Sequence, residues 1–225
     1  MNYLNSALFT FKKTVKAIFI VYMATLLTHC TEQKPTTGVY LLLDTSGTYT
    51  QELKKAQQII HYYLAQLGPA DSFAVGRIDS GSFSEKDIIA KVTFDLRPSR
   101  ANEQKRVFAQ SINEFVSTAK SSAYTDITGG LLLASEYLNE TQSQRKIVFI
   151  FSDMKEELPK GYKRDFNLHL PEYEVVAINV TKLRSDNKDP KRYLKRLNSW
   201  KKKVETAGAS WRIINDVDRE GALAL

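Results

Sequence analysis

Five consecutive apolar residues, Val39 to Leu43, run straight into an aspartate and two spaced hydroxyls: Gly38-Val39-Tyr40-Leu41-Leu42-Leu43-Asp44-Thr45-Ser46-Gly47-Thr48. A half-exposed strand would alternate apolar and polar residues. An unbroken apolar run predicts a strand buried on both faces, the kind found inside a parallel sheet. In open α/β sheets, ligand sites lie in the crevice beyond the carboxyl ends of the strands. A strand ending in Asp-x-Ser-x-Thr therefore delivers three hard oxygen donors, Asp44, Ser46 and Thr48, to such a crevice, and Gly47 lets the backbone turn tightly there. Those donors suit a small hard cation such as Mg²⁺ (or Mn²⁺), which favours carboxylate, hydroxyl and water ligands.

Two further stretches extend the pattern. A second apolar run, Ile147-Val148-Phe149-Ile150-Phe151-Ser152, also ends on an aspartate, Asp153. Between the two lies Tyr124-Thr125-Asp126-Ile127-Thr128-Gly129-Gly130-Leu131. Taken together, the three motifs resemble the metal-ion-dependent adhesion site of von Willebrand factor A domains. There the first motif is Asp-x-Ser-x-Ser, a threonine follows in a middle loop, and an aspartate closes a later buried strand. This chain has Thr48 where the family has its second serine, which keeps the hydroxyl. The resemblance implies that Ser46, Thr48 and Thr125 touch the cation through hydroxyls, while Asp44 and Asp153 reach it directly or through water. Thr128 is the competing hydroxyl of the middle motif; Thr125 is preferred because it precedes Asp-Ile at a helix start. The family also implies that a partner protein completes the metal shell with an acidic side chain.

The remaining chain supplies the alternation such a fold requires. Residues 51–67 carry apolar side chains at three- and four-residue steps and predict a helix stopped by Gly68-Pro69. Residues 71–79 predict a second strand. Residues 88–96 alternate and predict a third, antiparallel and at an edge. Helices are expected over 101–119 and 126–138, with Asp126 in the first turn of the latter, where an acid suits the helix dipole. The two aspartate-ended strands are expected side by side. The turn-rich stretch 154–171 is expected to leave the metal face as a long loop and to carry partner specificity. A fifth strand over 174–180, a helix over 190–207 ended by Gly208, and a short strand over 210–214 complete the reading. The expected fold is a doubly wound, mostly parallel six-stranded α/β sheet flanked by helices, with one antiparallel edge strand.

Residues 1–16 hold three lysines and no acid, and Ala17 to Thr28 form an apolar run shorter than the roughly 20 residues of a membrane span. The run ends at Leu27-Thr28-His29-Cys30, similar to a bacterial lipobox except that His29 replaces the usual small residue. Residues 1–29 are thus expected to be a lipoprotein-type signal peptide, Cys30 the lipidation site, 30–37 a polar tether, 38–219 the domain and 220–225 a tail. The alternative is an uncleaved signal anchor; both place the domain in the cell envelope, on the periplasmic or surface side. A single cysteine excludes an internal disulfide framework and a cysteine zinc site. The formal charge of +7 falls to +4 once Lys12, Lys13 and Lys16 are set aside, too little to imply nucleic acid.

Other functions of an aspartate after an apolar strand fit less well. Haloacid-dehalogenase-type phosphatases carry Asp-x-Asp-x-Thr, and here Ser46 stands where their acid/base carboxylate is required. A Gly-rich phosphate loop with lysine and a Gly-x-Ser-x-Gly elbow are both missing. No enzymatic activity is expected. The last helix concentrates Lys191, Arg192, Lys195, Arg196, Lys201, Lys202 and Lys203, either as a solvated face or as a contact for anionic lipid. The sequence reading is thus a divalent-cation-dependent protein-binding module on an exported, lipid-anchored chain. A metal-free scaffold or assembly subunit of an envelope complex is the alternative, and a Mg-dependent phosphohydrolase the third.

Overall fold

The computed structural model describes residues 34–79, 84–216 and 225, with only the backbone of Thr48. The expected signal peptide, Cys30 and most of the expected tail lie outside the described residues. Pro35 to Leu225 form one compact unit.

Six strands build its sheet: β1 (Thr37–Leu43), β2 (Ser72–Arg77), β3 (Ile88–Thr93), β4 (Arg145–Phe151), β5 (Tyr173–Ile178) and β6 (Ser210–Ile214). Their spatial order is β3-β2-β1-β4-β5-β6. All neighbours pair in parallel except β2 and β3, so the antiparallel strand is at the edge, as the alternation of residues 88–96 predicts. The helices are α1 (Leu53–Gln66), α2 (Pro98–Thr118), α3 (Ile127–Glu140), α4 (Arg184–Lys188) and α5 (Pro190–Thr206).

The unbroken apolar run of β1 is explained by two cores. Val39, Leu41 and Leu43 point to one side and pack with Phe73, Phe149, Ile60 and Tyr63, beneath α1 and α2. Tyr40 and Leu42 point to the other, with Val148, Ile150, Leu131 and Val204, beneath α3 and α5. Each fully buried aliphatic side chain of this kind contributes about 1.5–3 kcal/mol. Every position of β1 is buried, and from Val39 to Leu43 both faces meet an apolar core.

The register aligns the strand ends. Leu43 sits opposite Phe151 of β4 and Arg77 of β2. The Asp44 N–H then donates to the Phe151 carbonyl at 3.1 Å, and the Ile78 N–H to the Leu43 carbonyl at 3.1 Å. The strand order reverses between β1 and β4, which makes this end the topological switch point where α/β sheets open a crevice. At the opposite end the structure begins the sheet at Thr37, whose N–H donates to Asp71 Oδ1 at 2.7 Å.

Two local elements differ from the sequence reading. The helix expected from residue 51 is preceded by a 3₁₀ turn, Gly47–Glu52, so the backbone coils directly after Ser46. Gly47 takes φ +46°, a left-handed conformation that glycine adopts without steric cost. The short helix α4 falls in a stretch with no amphipathic period, and its N-terminal turn is closed by Asp186, which accepts the Leu183 N–H at 2.9 Å.

Candidate functional site

Asp44 lies at the floor of the crevice and is fully buried. Its Oδ1 accepts the Ser46 N–H at 2.8 Å, and the Thr125 hydroxyl lies 3.4 Å from the same oxygen. The Ser152 hydroxyl donates to Oδ2 at 2.6 Å. These partners are all neutral. Burial therefore dominates and pushes the carboxyl up to about 6, with the hydrogen bonds from Ser152 and Ser46 opposing it and the Asp153 charge adding to it. The two aspartates at the ends of β1 and β4 thus feel each other across the crevice.

Thr125 reaches the same point from the loop before α3. Its hydroxyl donates to Ser46 Oγ at 2.9 Å, and its backbone is pinned by a two-way bridge to Glu157: N–H to carbonyl at 2.8 Å and the reverse at 2.9 Å. Thr128 is placed differently. Its hydroxyl accepts from Lys203 Nζ on α5, and its N–H donates to Glu156 Oε1 at 2.7 Å. The middle motif therefore turns Thr125, and not Thr128, toward Asp44.

Asp153 is 8% exposed, the most open carboxylate of the pair. Its Oδ1 accepts the Lys155 N–H at 2.7 Å, its carbonyl accepts Arg196 Nε at 2.9 Å, and burial raises its carboxyl above the usual range. Thr48 occupies the first turn of the 3₁₀ segment; its side chain lies outside the described residues. The turn is tied down by Tyr49, whose ring packs edge-on against Phe151 with centroids 5.5 Å apart and whose hydroxyl donates to the Asn179 carbonyl.

A shell around these residues was not legible in the sequence. Ser152 looked like the last residue of a strand, yet it holds Asp44 directly. Asp126, expected in the first helical turn, is the N-cap of α3: its Oδ1 accepts the Gly129 N–H at 2.8 Å. Its other oxygen receives Arg164 Nε at 2.9 Å and Nη2 at 2.5 Å. A Cβ on Gly129 would lie 2.6 Å from that carboxylate, so only glycine fits beneath the cap. The stretch 154–171, expected to leave the face as a loop, is folded back onto it through Glu156, Glu157 and Arg164. Thr45 and Asp79 extend the polar floor toward β2, with the Thr45 hydroxyl donating to Asp79 Oδ2 at 2.5 Å.

The convergent donors are hard oxygens. Among the described residues no group of three or more His, Cys, Asp or Glu side chains is placed to hold a metal, so a cation here would rely on hydroxyls beside two carboxylates. Such a donor set fits Mg²⁺ or Mn²⁺ and not Zn²⁺. A buried carboxylate with neutral partners also lacks a countercharge, which a cation would supply.

No protein-family model matches the chain, and no curated protein does. Among solved structures it is similar to the pilus adhesin SpaC of Lactobacillus rhamnosus GG in an open conformation. The identity is 14%, over 85% of this chain and 29% of that one, with a TM-score of 0.53. It is also similar to a von Willebrand factor type A structure from Catenulispora acidiphila, 13% identical over 81% of this chain and 39% of that one, at a TM-score of 0.49. A third is an aerotolerance-related membrane protein from Bacteroides fragilis, 13% identical over 84% and 96% of the two chains, at 0.43. The chain thus spans less than half the length of the first two. Identities this low concern the fold alone. The six-stranded, mostly parallel sheet with one antiparallel edge strand is a Rossmann-like α/β fold, shared with the adhesin structure.

Proposed function

We propose that this chain is a protein-binding module of the von Willebrand factor A type that holds Mg²⁺ or Mn²⁺ at the end of its sheet and engages its partner there. The observation that carries the reading is the meeting of Asp44, Ser46 and Thr125 within hydrogen-bond distance at the switch point, with Asp153 just beyond the end of the neighbouring strand β4. Asp44, Ser46, Thr125 and Asp153 would hold the cation, with Thr48 completing the motif. When bound, the cation supplies an electrophilic centre for an incoming carboxylate. The two carboxylates roughly neutralise a divalent charge, and the hydroxyls position it without quenching it. Nothing in this set supplies an acid/base pair for hydrolysis, and Asp44, fully buried and bonded on both oxygens, is not presented as a nucleophile. The test is a melting titration with Mg²⁺ and Mn²⁺ paired with equilibrium dialysis. A ligand that binds only the folded state stabilises by about 2.7 kcal/mol at a hundredfold excess over Kd. A melting temperature and a dialysis signal both indifferent to millimolar metal would overturn the reading.

One observation favours a second reading, a metal-free scaffold or assembly subunit. Asp44 is already satisfied by Ser46, Thr125 and Ser152, so the crevice is stable with protein partners alone. Thr125→Asp separates the two. In the metal-dependent reading, a third carboxylate keeps or tightens metal binding yet removes the reason to recruit one from a partner. Partner affinity should fall by about tenfold or more, equivalent to 1.4 kcal/mol. Full partner affinity in that variant, or partner binding unaffected by EDTA, would support the scaffold.

The reading also places the domain outside the cytoplasm, held to a membrane through Cys30. Among the described residues no helix is long and apolar enough to cross a membrane. Cys30→Ser is expected to abolish fatty-acid labelling and leave an unprocessed precursor; unchanged labelling and migration would remove the anchor from the proposal.

A further inference from the structure

The seven cations of the last helix do not form one surface. Arg196 turns inward, pairing with the buried Asp186 at 3.2 and 2.7 Å and donating to the Asp153 carbonyl. Lys203 also turns inward, to Thr128, with its ammonium 4.8 Å over the Trp200 ring. Trp200 is buried and donates to the Met154 carbonyl at 2.8 Å. What remains outward is Lys191, Arg192, Lys195, Lys201 and Lys202, all exposed. Glu205 is the sole acid within α5 and lies 3.9 Å from Lys201.

Lys191, Leu194, Lys195, Asn198, Ser199 and Lys202 line one shallow depression, so they share a face. Leu194 stands in the middle of it, 58% exposed. At 1.5 Å per residue the helix is about 25 Å long, and the cations run along most of it. The depression is open and offers charge and one aliphatic side chain, which suits a flat anionic surface better than a shaped ligand.

The face runs from beside the crevice, where Arg196 reaches the Asp153 carbonyl, to the chain's point of entry. Thr37 enters the sheet opposite Arg145, at the end where β5 and β6 also begin, with Tyr173 opposite Lys146 and Ser210 opposite Glu174. The end of α5 is at that same pole, where the Leu170 N–H donates to the Ala207 carbonyl at 2.7 Å. The candidate metal crevice is at the opposite pole. Six residues, 31–36, five of them polar, precede the sheet and reach at most about 22 Å when fully extended. A domain of this size has a radius of gyration of about 16 Å, so such a tether is shorter than the domain is wide.

We infer that α5 is a docking surface for an anionic phospholipid bilayer, with Lys191, Lys195, Lys201 and Lys202 against the headgroups and Leu194 in the interfacial layer. Docked this way, α5 lies along the headgroups and the crevice opens sideways, along the membrane. The inference rests on the membrane-held reading and is independent of the metal.

The full chain is reconstituted into vesicles of neutral phosphatidylcholine, or of the same lipid with one-third phosphatidylglycerol, and its lysines are acetylated and read by mass spectrometry. Lys191, Lys195, Lys201 and Lys202 should be protected in the anionic vesicles at 0.1 M salt and released at high salt, with Lys54 and Lys120 as exposed controls that do not change. The triple variant Lys191→Gln, Lys195→Gln, Lys202→Gln should lower the docking equilibrium by about a hundredfold, read at Lys201. Association with both vesicle types and equal labelling in each would overturn docking while leaving the membrane anchor intact. Association with neither would overturn both. Protection by poly-glutamate but not by anionic vesicles would assign the face to an acidic protein and overturn the lipid.

Discussion

Replacing Arg164 by methionine is expected to destabilise the domain by about 3–5 kcal/mol, because it strands a buried carboxylate. Arg164 and Asp126 pair through two bonds, and their side chains are only 10% and 2% exposed. Asp126 cannot turn away to water. Its Oδ1 caps α3 through Gly129, and its N–H donates to the Ile78 carbonyl at 2.7 Å. The methionine keeps most of the arginine's bulk, so the loss measured is one of charge and hydrogen bonds and not of volume. A second variant isolates the cause. Adding Asp126→Asn should recover much of the stability, since a neutral amide needs no counterion and its oxygen still accepts from Gly129. Urea unfolding of wild type, single and double variants measures both steps. If the single variant costs less than 1 kcal/mol, or the double is worse than the single, the pair is not what holds the loop to α3. The functional consequence is local: residues 154–171 lose one of their clamps beside Thr125, so metal and partner binding should weaken together.

That ion pair also marks where sequence reading stops. The two apolar strands were legible because burial on both faces leaves no other pattern, and the edge strand β3 because half-burial imposes alternation. The aspartates were legible because a strand of fixed length delivers its next residue to a known end of the sheet. Arg164 and Asp126 are 38 residues apart, and no local period relates a loop arginine to a helix cap. Ser152 is similar: a hydroxyl at a strand end has no fixed meaning until the neighbouring strand's register places Asp44 beside it. The basic helix shows the reverse error. Read from sequence, its seven cations form one face, but Arg196 and Lys203 are drawn inward by Asp186 and Thr128, on segments that the helix period does not describe. Residues that answer to local period or to strand length can be read in advance. Those that answer to a distant partner cannot.

Asp44→Asn is expected to have opposite effects with and without metal. The Asp44 carboxyl is raised from 3.8 to about 6, a difference of roughly 3 kcal/mol at most. The sign follows from which state holds the proton. Between those two values the folded protein retains a proton that the unfolded chain has lost, so stability falls as pH rises from about 4 to 6 and the penalty is complete above that. In EDTA at pH 7 the asparagine variant carries no such penalty. It should be more stable than wild type by about 1–3 kcal/mol, the lower figure allowing for weakened bonds from the Ser46 N–H and the Ser152 hydroxyl. For a domain of this size that is a melting temperature higher by about 2–12 °C. In the asparagine variant the fall between pH 4 and 6 should vanish. With saturating Mg²⁺ the order reverses, because the cation supplies the missing countercharge to wild type, while the variant has lost both a charge and a strand-end ligand. The gain of wild type with metal should shrink as pH falls below about 6, where the proton competes with the cation for the carboxylate. Calorimetry of both proteins in EDTA and in Mg²⁺, at pH 4.5 and pH 7, gives the full comparison. A variant less stable than wild type in EDTA would mean that Asp44 is held as a structural acceptor for Ser46 and Ser152. A variant that still responds to Mg²⁺ would move the cation away from the end of β1.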